Sequence, residues 1–257
     1  MESKTMDVGN LFLGIESLVP SVVRALRGTV VRGHRRRPNK LLELYDAEYS
    51  PRCRYIRETL TELDLDVVIY PMPWGGERFS SRLAKLGGKG EVPFLHDPNT
   101  GKCLDDAQAI ADYLYREYGP EGQTVPSARI ATSVLATALR GRRGVFGRGS
   151  KVPDQPVELY SFEASPYARI VRETLCEMEI PYILRNVGKG SGEAIEWLPP
   201  YFRLRLAKDY VPHTANRRKL QELGGKMQVP YFVDPNTELA MYESEKIQQY
   251  LRETYGA

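Results

Sequence analysis

An internal repeat constrains the fold of this chain more than any other feature of its sequence. Leu44-Tyr45, Ser50-Pro51 and Arg57-Glu58-Thr59-Leu60 recur 115 residues later, as Leu159-Tyr160, Ser165-Pro166 and Arg172-Glu173-Thr174-Leu175. Farther along, Leu86-Gly87-Gly88-Lys89, Val92-Pro93 and Asp97-Pro98-Asn99-Thr100 recur with an offset of 137. The second copy therefore carries 22 extra residues, the difference between the two offsets. Such self-similarity predicts two related folding units rather than one large domain.

Charge and apolar spacing divide the chain into four predicted segments. These are a basic helical segment at 1–41, a first unit at 42–119, a basic helical linker at 120–156, and a second unit at 157–257 with an insert at about 189–212. Apolar residues at helical spacing predict an amphipathic helix before each unit. The basic run Arg35-Arg36-Arg37 suits weak contact with a membrane surface, but because the repeats are acidic we favour packing on the chain itself.

Composition excludes several classes of protein. Three cysteines with irregular spacing (Cys53, Cys103, Cys176) and three histidines rule out a disulfide scaffold and predict no metal site. Hydrophobic residues make up 42% and charged residues 27%, which is typical of a globular protein. No apolar run approaches the roughly 20 residues of a membrane span, and the N-terminus does not resemble a secretory signal. We therefore expect a soluble intracellular protein in a reducing compartment.

Each repeat predicts the same order of elements, β-α-β-α-β-β-α. A short apolar strand leads to Ser-Pro, the pair typical of an N-cap and first helical position. A second strand, a helix, and a third strand ending in the Asp-Pro-Asn-Thr turn follow. Each repeat closes with a helix, at Ala107–Tyr118 and at Ser244–Tyr255. We expect each half to fold around its own mixed sheet.

This order, with Ser-Pro, Val-Pro and Glu243-Ser244 at matching places, resembles the thioredoxin fold of the N-terminal domain of glutathione S-transferases. It is also similar to glutaredoxins. The fold class is thus α/β, with two tandem thioredoxin-like domains. A tandem without the usual helical domain resembles the double-domain proteins of photosynthetic organisms, which implies a cytoplasmic location or the plastid stroma.

The resemblance assigns roles at the start of the first helix. Ser50 and Ser165 stand where glutaredoxins have the nucleophilic cysteine, so two-thiol exchange is excluded in both copies. By resemblance, their hydroxyls would stabilise a glutathione thiolate; simple N-capping explains the same residues equally well. Cys53 is a weaker catalytic candidate, because it shares the apolar stripe of its helix and Ala168 takes its place in the second copy.

The remaining predicted site residues belong to the glutathione-binding pattern. Val92-Pro93 and Val229-Pro230 would form cis-proline turns whose backbone pairs with the cysteinyl part of glutathione. Glu243 and Ser244 would hold the γ-glutamyl end, whereas the first copy has only Asp106 followed by alanine. The second copy is therefore the better predicted binder.

Two functions remain open. The first is a transferase-like enzyme that binds glutathione as cofactor and a small electrophile. The second is a non-catalytic tandem scaffold that binds a protein partner or another ligand. No nucleic-acid partner is expected. The aromatic and basic insert, which includes Trp197 and Arg203, is expected to pack on its own neighbour.

Overall fold

The computed structural model describes residues 28–123, 125, 144–190 and 211–257. The amphipathic helices predicted before each unit and most of the insert lie outside these residues. The described strands are β1 (Val30–Val31), β2 (Leu42–Asp46), β3 (Val67–Pro71), β4 (Phe94–Asp97), β5 (Lys102–Leu104), β6 (Val157–Ser161), β7 (Tyr182–Asn186), β8 (Lys189–Gly190), β9 (Tyr231–Asp234) and β10 (Leu239–Tyr242). The described helices are α1 (Pro51–Glu62), α2 (Ser80–Lys85), α3 (Ala107–Tyr118), α4 (Pro166–Glu177), α5 (Ala215–Gly224) and α6 (Ser244–Tyr255).

Each half contains the predicted α/β unit. In the first half β2 pairs with β3 in parallel and with β4 antiparallel, and β5 extends the sheet beyond β4. The second half repeats this arrangement with β6, β7, β9 and β10. Two thioredoxin-like units in tandem are therefore confirmed as the fold class.

The expectation of a separate sheet for each half is wrong. β3 and β7 pair antiparallel, so that one eight-stranded sheet has the order β10-β9-β6-β7-β3-β2-β4-β5. Val68 lies opposite Ile183, its equivalent in the repeat, at the centre of the pairing. The physical reason is that β3 and β7 would each be the edge strand of a separate sheet, with unpaired backbone N–H and C=O groups. By pairing with each other, the two strands provide hydrogen-bond partners for these groups.

One hydrophobic core runs along the helical face of this sheet. Helices α1, α3, α4 and α6 cover that face, and the buried cluster beneath them contains residues of both halves, from Leu42 to Tyr255. On the opposite face, two smaller clusters lie apart, one around Leu83 of α2 and one around Leu220 of α5. The halves therefore share their larger core and keep separate smaller ones.

Two short stretches, 28–31 and 144–147, cross to the opposite half, and we call them the crossing segments. In the first, Val30 pairs with Lys189 of the second half. In the second, Phe146 pairs with Trp74 of the first half. Trp74 and Lys189 are equivalent positions in the repeat, so the exchange is reciprocal.

The crossing segments carry glycines at equivalent positions. Gly28 and Gly144 have φ of +71° and +70°. Gly28 lies against Glu163 and Gly144 against Glu48, in each case a residue of the opposite half. A Cβ on Gly28 would lie 2.8 Å from the Cβ of Glu163, and one on Gly144 would lie 3.4 Å from the Cβ of Glu48.

Candidate functional site

The two predicted serines cap the first helix of each unit. The Ser50 hydroxyl accepts a hydrogen bond from the backbone N–H of Cys53 at 3.3 Å, and the Ser165 hydroxyl accepts one from Ala168 at 3.3 Å. The serines are 8% and 2% exposed, and each is followed by proline as the first helical residue. Ser-Pro therefore serves as a helix start in both halves.

The two buried cysteines do not form a reactive site. Cys53 is fully buried, and burial raises the pKa of its thiol well above the ordinary range. Burial also raises the thiol pKa of Cys176, whose Sγ accepts a hydrogen bond from the backbone N–H of Glu48 at 3.5 Å. Cys103 is partly exposed on β5. A buried thiol with a raised pKa is a poor nucleophile, which disfavours the catalytic interpretation of Cys53.

A groove in the first half brings two of the predicted residues together. The Val92-Pro93 and Val229-Pro230 peptide bonds are both cis, as the resemblance implied. Ser50 and Val92 line a groove of about 440 Å³, a volume within the roughly 300–1,000 Å³ of small-molecule sites. Asp106 does not line this groove; it caps α3 by accepting a hydrogen bond from the N–H of Ala109 at 2.8 Å.

The equivalent positions of the second half have a different backbone. Glu243 is exposed and has φ of +74°, whereas Asp106 has φ of −97°. Ser244, the first residue of α6, is 6% exposed. A non-glycine residue with positive φ carries strain of about 1–3 kcal/mol, and such residues cluster at ligand-binding sites. Val229 is half-buried beside buried Pro230.

The basic run predicted to contact a membrane or its own chain packs on the first half. Arg36 forms an ion pair with Glu117, and Arg37 forms one with Asp64. Arg35 donates hydrogen bonds to the carbonyl groups of residues 116 and 117. These cations therefore neutralise acidic residues of the repeat.

Four buried ionic residues link the halves around the centre of the junction, and we call them the ionic junction. Arg57 lies 3.1 Å from Glu48 of its own half and 3.0 Å from Glu163 of the other. Arg172 lies 2.9 Å from Glu163 of its own half and 3.3 Å from Glu48 of the other. All four side chains are at most 1% exposed. Each glutamate stands two residues before a capping serine, so each half holds the loop that leads into the other half's candidate site.

The pKa values of two buried carboxyl groups near the ionic junction, Glu163 and Asp46, are shifted in opposite directions. Burial would raise the pKa of Glu163, but Arg172, Arg57 and further buried arginines outweigh burial and hold it well below its ordinary value. Burial dominates at Asp46 and raises its pKa to about 6, although Arg57 donates to both carboxylate oxygens at 2.7 Å. Ser161 takes the place of Asp46 in the second half, where its hydroxyl accepts from Arg172 at 3.0 Å.

Several residues of the groove in the first half could not be predicted from the motifs. Besides Ser50 and Val92, the groove is lined by Tyr49, Arg52, Met72, Pro73, Trp74, Gly75, Gly76, Ser80, Gly90 and Glu91. Trp74 is 64% exposed and contacts the rings of Tyr49 and Phe146. Trp74 is one of two tryptophans and lies three residues after the second strand of the first repeat, a signal available in the sequence.

Within the described residues, no group of three or more histidine, cysteine, aspartate or glutamate side chains is placed to hold a metal ion. None of the helices in the same part of the chain is long and apolar enough to cross a membrane.

Comparison with known proteins assigns both repeats to one family. The family described as "Glutathione S-transferase, N-terminal domain" matches residues 44–122 and 159–257. The chain is 26% identical over 159 residues to the "Glutathione S-transferase-like protein tpcF" of Aspergillus fumigatus, covering 54% of this chain and 69% of that protein. A solved glutathione transferase of Bombyx mori, BmGSTD1, is 27% identical over 36% of this chain and 43% of its own, with a TM-score of 0.31. This chain thus spans less than half of the silkworm protein.

Proposed function

We propose, since this chain belongs to the family of the glutathione S-transferase N-terminal domain, that it binds glutathione and transfers it to a small electrophile. One observation carries the proposal: Ser50 and Val92, predicted from separate motifs, line one groove. The groove combines a helix N-terminus, which favours an anion, with the residue that precedes a cis proline.

The proposed chemistry uses the serine hydroxyl as a donor. The Ser50 oxygen already accepts from the N–H of Cys53, so its proton is available to donate to the glutathione sulfur. That hydrogen bond and the helix dipole lower the pKa of the bound thiol, whose proton passes to water. The thiolate then attacks the electrophilic carbon, a carbon–sulfur bond forms, and the leaving group departs with the electron pair of the broken bond. Ser165 would act in the same way in the second half.

In the second half, the γ-glutamyl end of glutathione is assigned to the start of α6. Ser244 and the helix N-terminus would hold its carboxylate, and Glu243 would hold its ammonium group. The strained, exposed backbone of Glu243 supports this assignment. Asp106 offers the first half a carboxylate without the neighbouring hydroxyl.

Calorimetric titration with glutathione tests binding. We expect saturable heat with a dissociation constant in the millimolar range or below. Absence of heat up to millimolar glutathione would overturn the proposal.

Activity towards an aryl halide tests the serine mechanism. We expect the double variant Ser50→Gly/Ser165→Gly to lose about 10- to 100-fold in activity, since a hydrogen bond to a charged group contributes about 1.5–3 kcal/mol. Glycine caps helices nearly as well as serine, so stability changes little. Unchanged activity in this variant would exclude the hydroxyl from the reaction.

A second candidate function is a binding scaffold without catalysis. It is favoured by the capping contacts, which account for both serines without a ligand. Under this alternative, the serine variants change stability slightly and ligand binding not at all. Relationship to the double-domain proteins of photosynthetic organisms stays a prediction.

A further inference from the structure

Three side chains of the first half form a row across neighbouring strands, and we call them the cross-strand row. Glu43 of β2 lies opposite His96 of β4, and His96 lies opposite Cys103 of β5. Residues directly opposite on antiparallel strands point to the same face of the sheet, with Cβ atoms about 4.5–5.5 Å apart. A carboxylate, an imidazole and a thiol therefore lie side by side, on the face that α2 covers. The candidate groove beside Ser50 is lined by other residues.

The contacts of Glu43 orient the imidazole. Its Oε1 accepts a hydrogen bond from Nη2 of Arg82 at 2.6 Å, and its Oε2 lies 2.9 Å from Nδ1 of His96. Because a carboxylate paired with an arginine only accepts hydrogen bonds, Nδ1 carries the proton and Nε2 keeps its lone pair. With Nδ1 turned towards β2, the ring edge that carries Nε2 faces the side of β5, where Cys103 lies. His96 is thus oriented as a base for this thiol.

The thiol of Cys103 needs a base in order to react. Burial, and after it the Glu43 carboxylate, raise the pKa of this thiol, which is therefore protonated at neutral pH. A protonated thiol is a poor nucleophile until a positioned base removes its proton. Cys103 is partly exposed on the edge strand β5, whereas Cys53 and Cys176 are buried. A reagent in solution can therefore reach this thiol and not the other two.

The fold does not require an imidazole and a thiol in these places. At the equivalent positions of the second half, Val233 replaces His96 and Ala240 replaces Cys103, and these two residues also lie opposite one another. The glutamate is retained, as Glu158. Two apolar side chains are thus enough for strand pairing at this point, and the thiol with its base is a property of the first half.

We propose that the cross-strand row is a thiol-exchange site, at which Cys103 forms a mixed disulfide with a small disulfide from solution. Nε2 of His96 takes the thiol proton, and the thiolate attacks one sulfur of the disulfide. The new sulfur–sulfur bond forms as the old one breaks, and the departing thiolate takes the electron pair and then the proton held by His96. Cys103 is oxidised, and the released half of the disulfide is reduced to a thiol. Because the other two cysteines are buried, neither can displace the adduct, so Cys103 is a modification site and not a reductase centre.

Intact-mass spectrometry of the full chain with glutathione disulfide tests the site. We expect the native protein to gain one glutathionyl group, and Cys103→Ala, which introduces the residue of the second half, to gain none. An unfolded variant would expose the buried cysteines and gain more than one group, so the same measurement reports on folding. A native protein that gains no group, or a Cys103→Ala variant that still gains one, would overturn the proposal.

The rate of this modification tests the role of His96. We expect His96→Val, which introduces the residue of the second half, to slow the reaction by about 100-fold, the lower end of what a positioned base contributes. The matched control His213→Val removes an exposed histidine elsewhere in the chain and should leave the rate unchanged. Equal rates for His96→Val and the native protein would refute the assignment of His96 as the base.

Chemical rescue separates a base from a packing residue. We expect free imidazole to restore the rate of His96→Ala, whose smaller side chain leaves room for it, and to leave His96→Val slow. Glu43 acts through His96 and is a positioning residue, so Glu43→Gln should slow the reaction and Glu43→Asp should recover part of the rate. If imidazole does not accelerate His96→Ala, His96 only packs and the proposal falls. Glutathione binding beside Ser50 involves none of the cross-strand row, so each of the two proposals can fail alone.

Discussion

Cys53 shows how one residue can suggest a function that its surroundings disfavour. It lies three residues after Ser50 at the start of α1, where related folds place redox chemistry. Its thiol is nevertheless fully buried, and its Sγ accepts a hydrogen bond from the N–H of Ala47 at 3.4 Å. The thiol therefore acts as a small core group with a polar contact.

The rate at which each of the three thiols is alkylated should decrease with its burial. We expect iodoacetamide at pH 8 to modify native protein at Cys103, which is partly exposed, and to reach Cys53 and Cys176 only on unfolding. Mass spectrometry of peptides from native and urea-treated protein measures the order. Labelling of Cys53 in the native state at the rate of a free thiol would contradict its assignment to the core.

Asp46 should make stability depend on pH. Its pKa is raised from 3.8 to about 6 by burial, so the folded state binds a proton that the unfolded state has released. The stabilisation is present below pH 4 and is lost as the pH rises through 6. We expect the free energy of unfolding of the wild type, relative to Asp46→Asn, to fall by up to about 3 kcal/mol between pH 4 and pH 7.

Urea unfolding of both proteins at several pH values measures this difference. The comparison with the asparagine variant cancels the titration of groups that the two proteins share. If the difference in the free energy of unfolding between the two proteins stays constant or grows with pH, the pKa of Asp46 is controlled by Arg57 rather than by burial.

At the scale of helices and strands, the ionic junction joins α1 and α4, which lie on the same face of the sheet. Each buried arginine contacts the glutamates of both halves, so removing one cation leaves buried carboxylates uncompensated. We expect Arg172→Met to lower the free energy of unfolding by about 3–5 kcal/mol. The control Arg148→Met removes an exposed ion pair with Glu177 and should change it by about 0–1 kcal/mol.

Chemical denaturation with a probe in each half measures both variants. We expect the probes in both halves to report the lower free energy of unfolding of Arg172→Met, because Arg172 also contacts Glu48, in the loop that leads into Ser50. A loss confined to the second half would contradict the mutual support of the two loops.

The elements within each repeat could be predicted because their signals are local. Ser-Pro starts α1 and α4, the Asp-Pro-Asn-Thr turn joins β4 to β5, and α3 and α6 occupy the predicted ranges. These signals require no knowledge of the partner half. The expected cis geometry at both Val-Pro links came from family resemblance, not from local spacing.

The junction was not predicted because its signals are long-range. Arg57-Glu58 and Arg172-Glu173 are retained in both copies on helices that otherwise face the core, which indicates buried ionic contacts. The spacing of these residues does not say that their partners lie in the other repeat. Of the residues at the groove, Ser50 and Val92 were predicted from motifs. The contact between Trp74 and Phe146 could not be predicted in this way, because it depends on the crossing segment.

For the whole molecule, the junction implies that a single repeat is self-complementary. Val68 pairs with its own equivalent, and Glu48 and Arg57 face the equivalents of each other. We expect residues 28–123, produced alone, to associate as a symmetric dimer through β3 rather than remain monomeric. Size-exclusion chromatography with light scattering measures the mass.

Arg57→Glu is the control for that experiment. It replaces each arginine of the ionic junction by a third carboxylate beside Asp46 and Glu48, so it should abolish association of the fragment. A folded, monomeric wild-type fragment would show that the second half is not needed to cover the edge of β3.

The reciprocal exchange of the crossing segments has a genetic consequence. When two identical subunits associate, every codon change alters both sites at once, so neither can specialise without its twin. Here Trp74 and Lys189, or Asp46 and Ser161, are written by separate codons although they occupy matching places. A substitution in one cleft of the joined chain therefore leaves the matching place of the other cleft unchanged, so the two clefts can diverge independently.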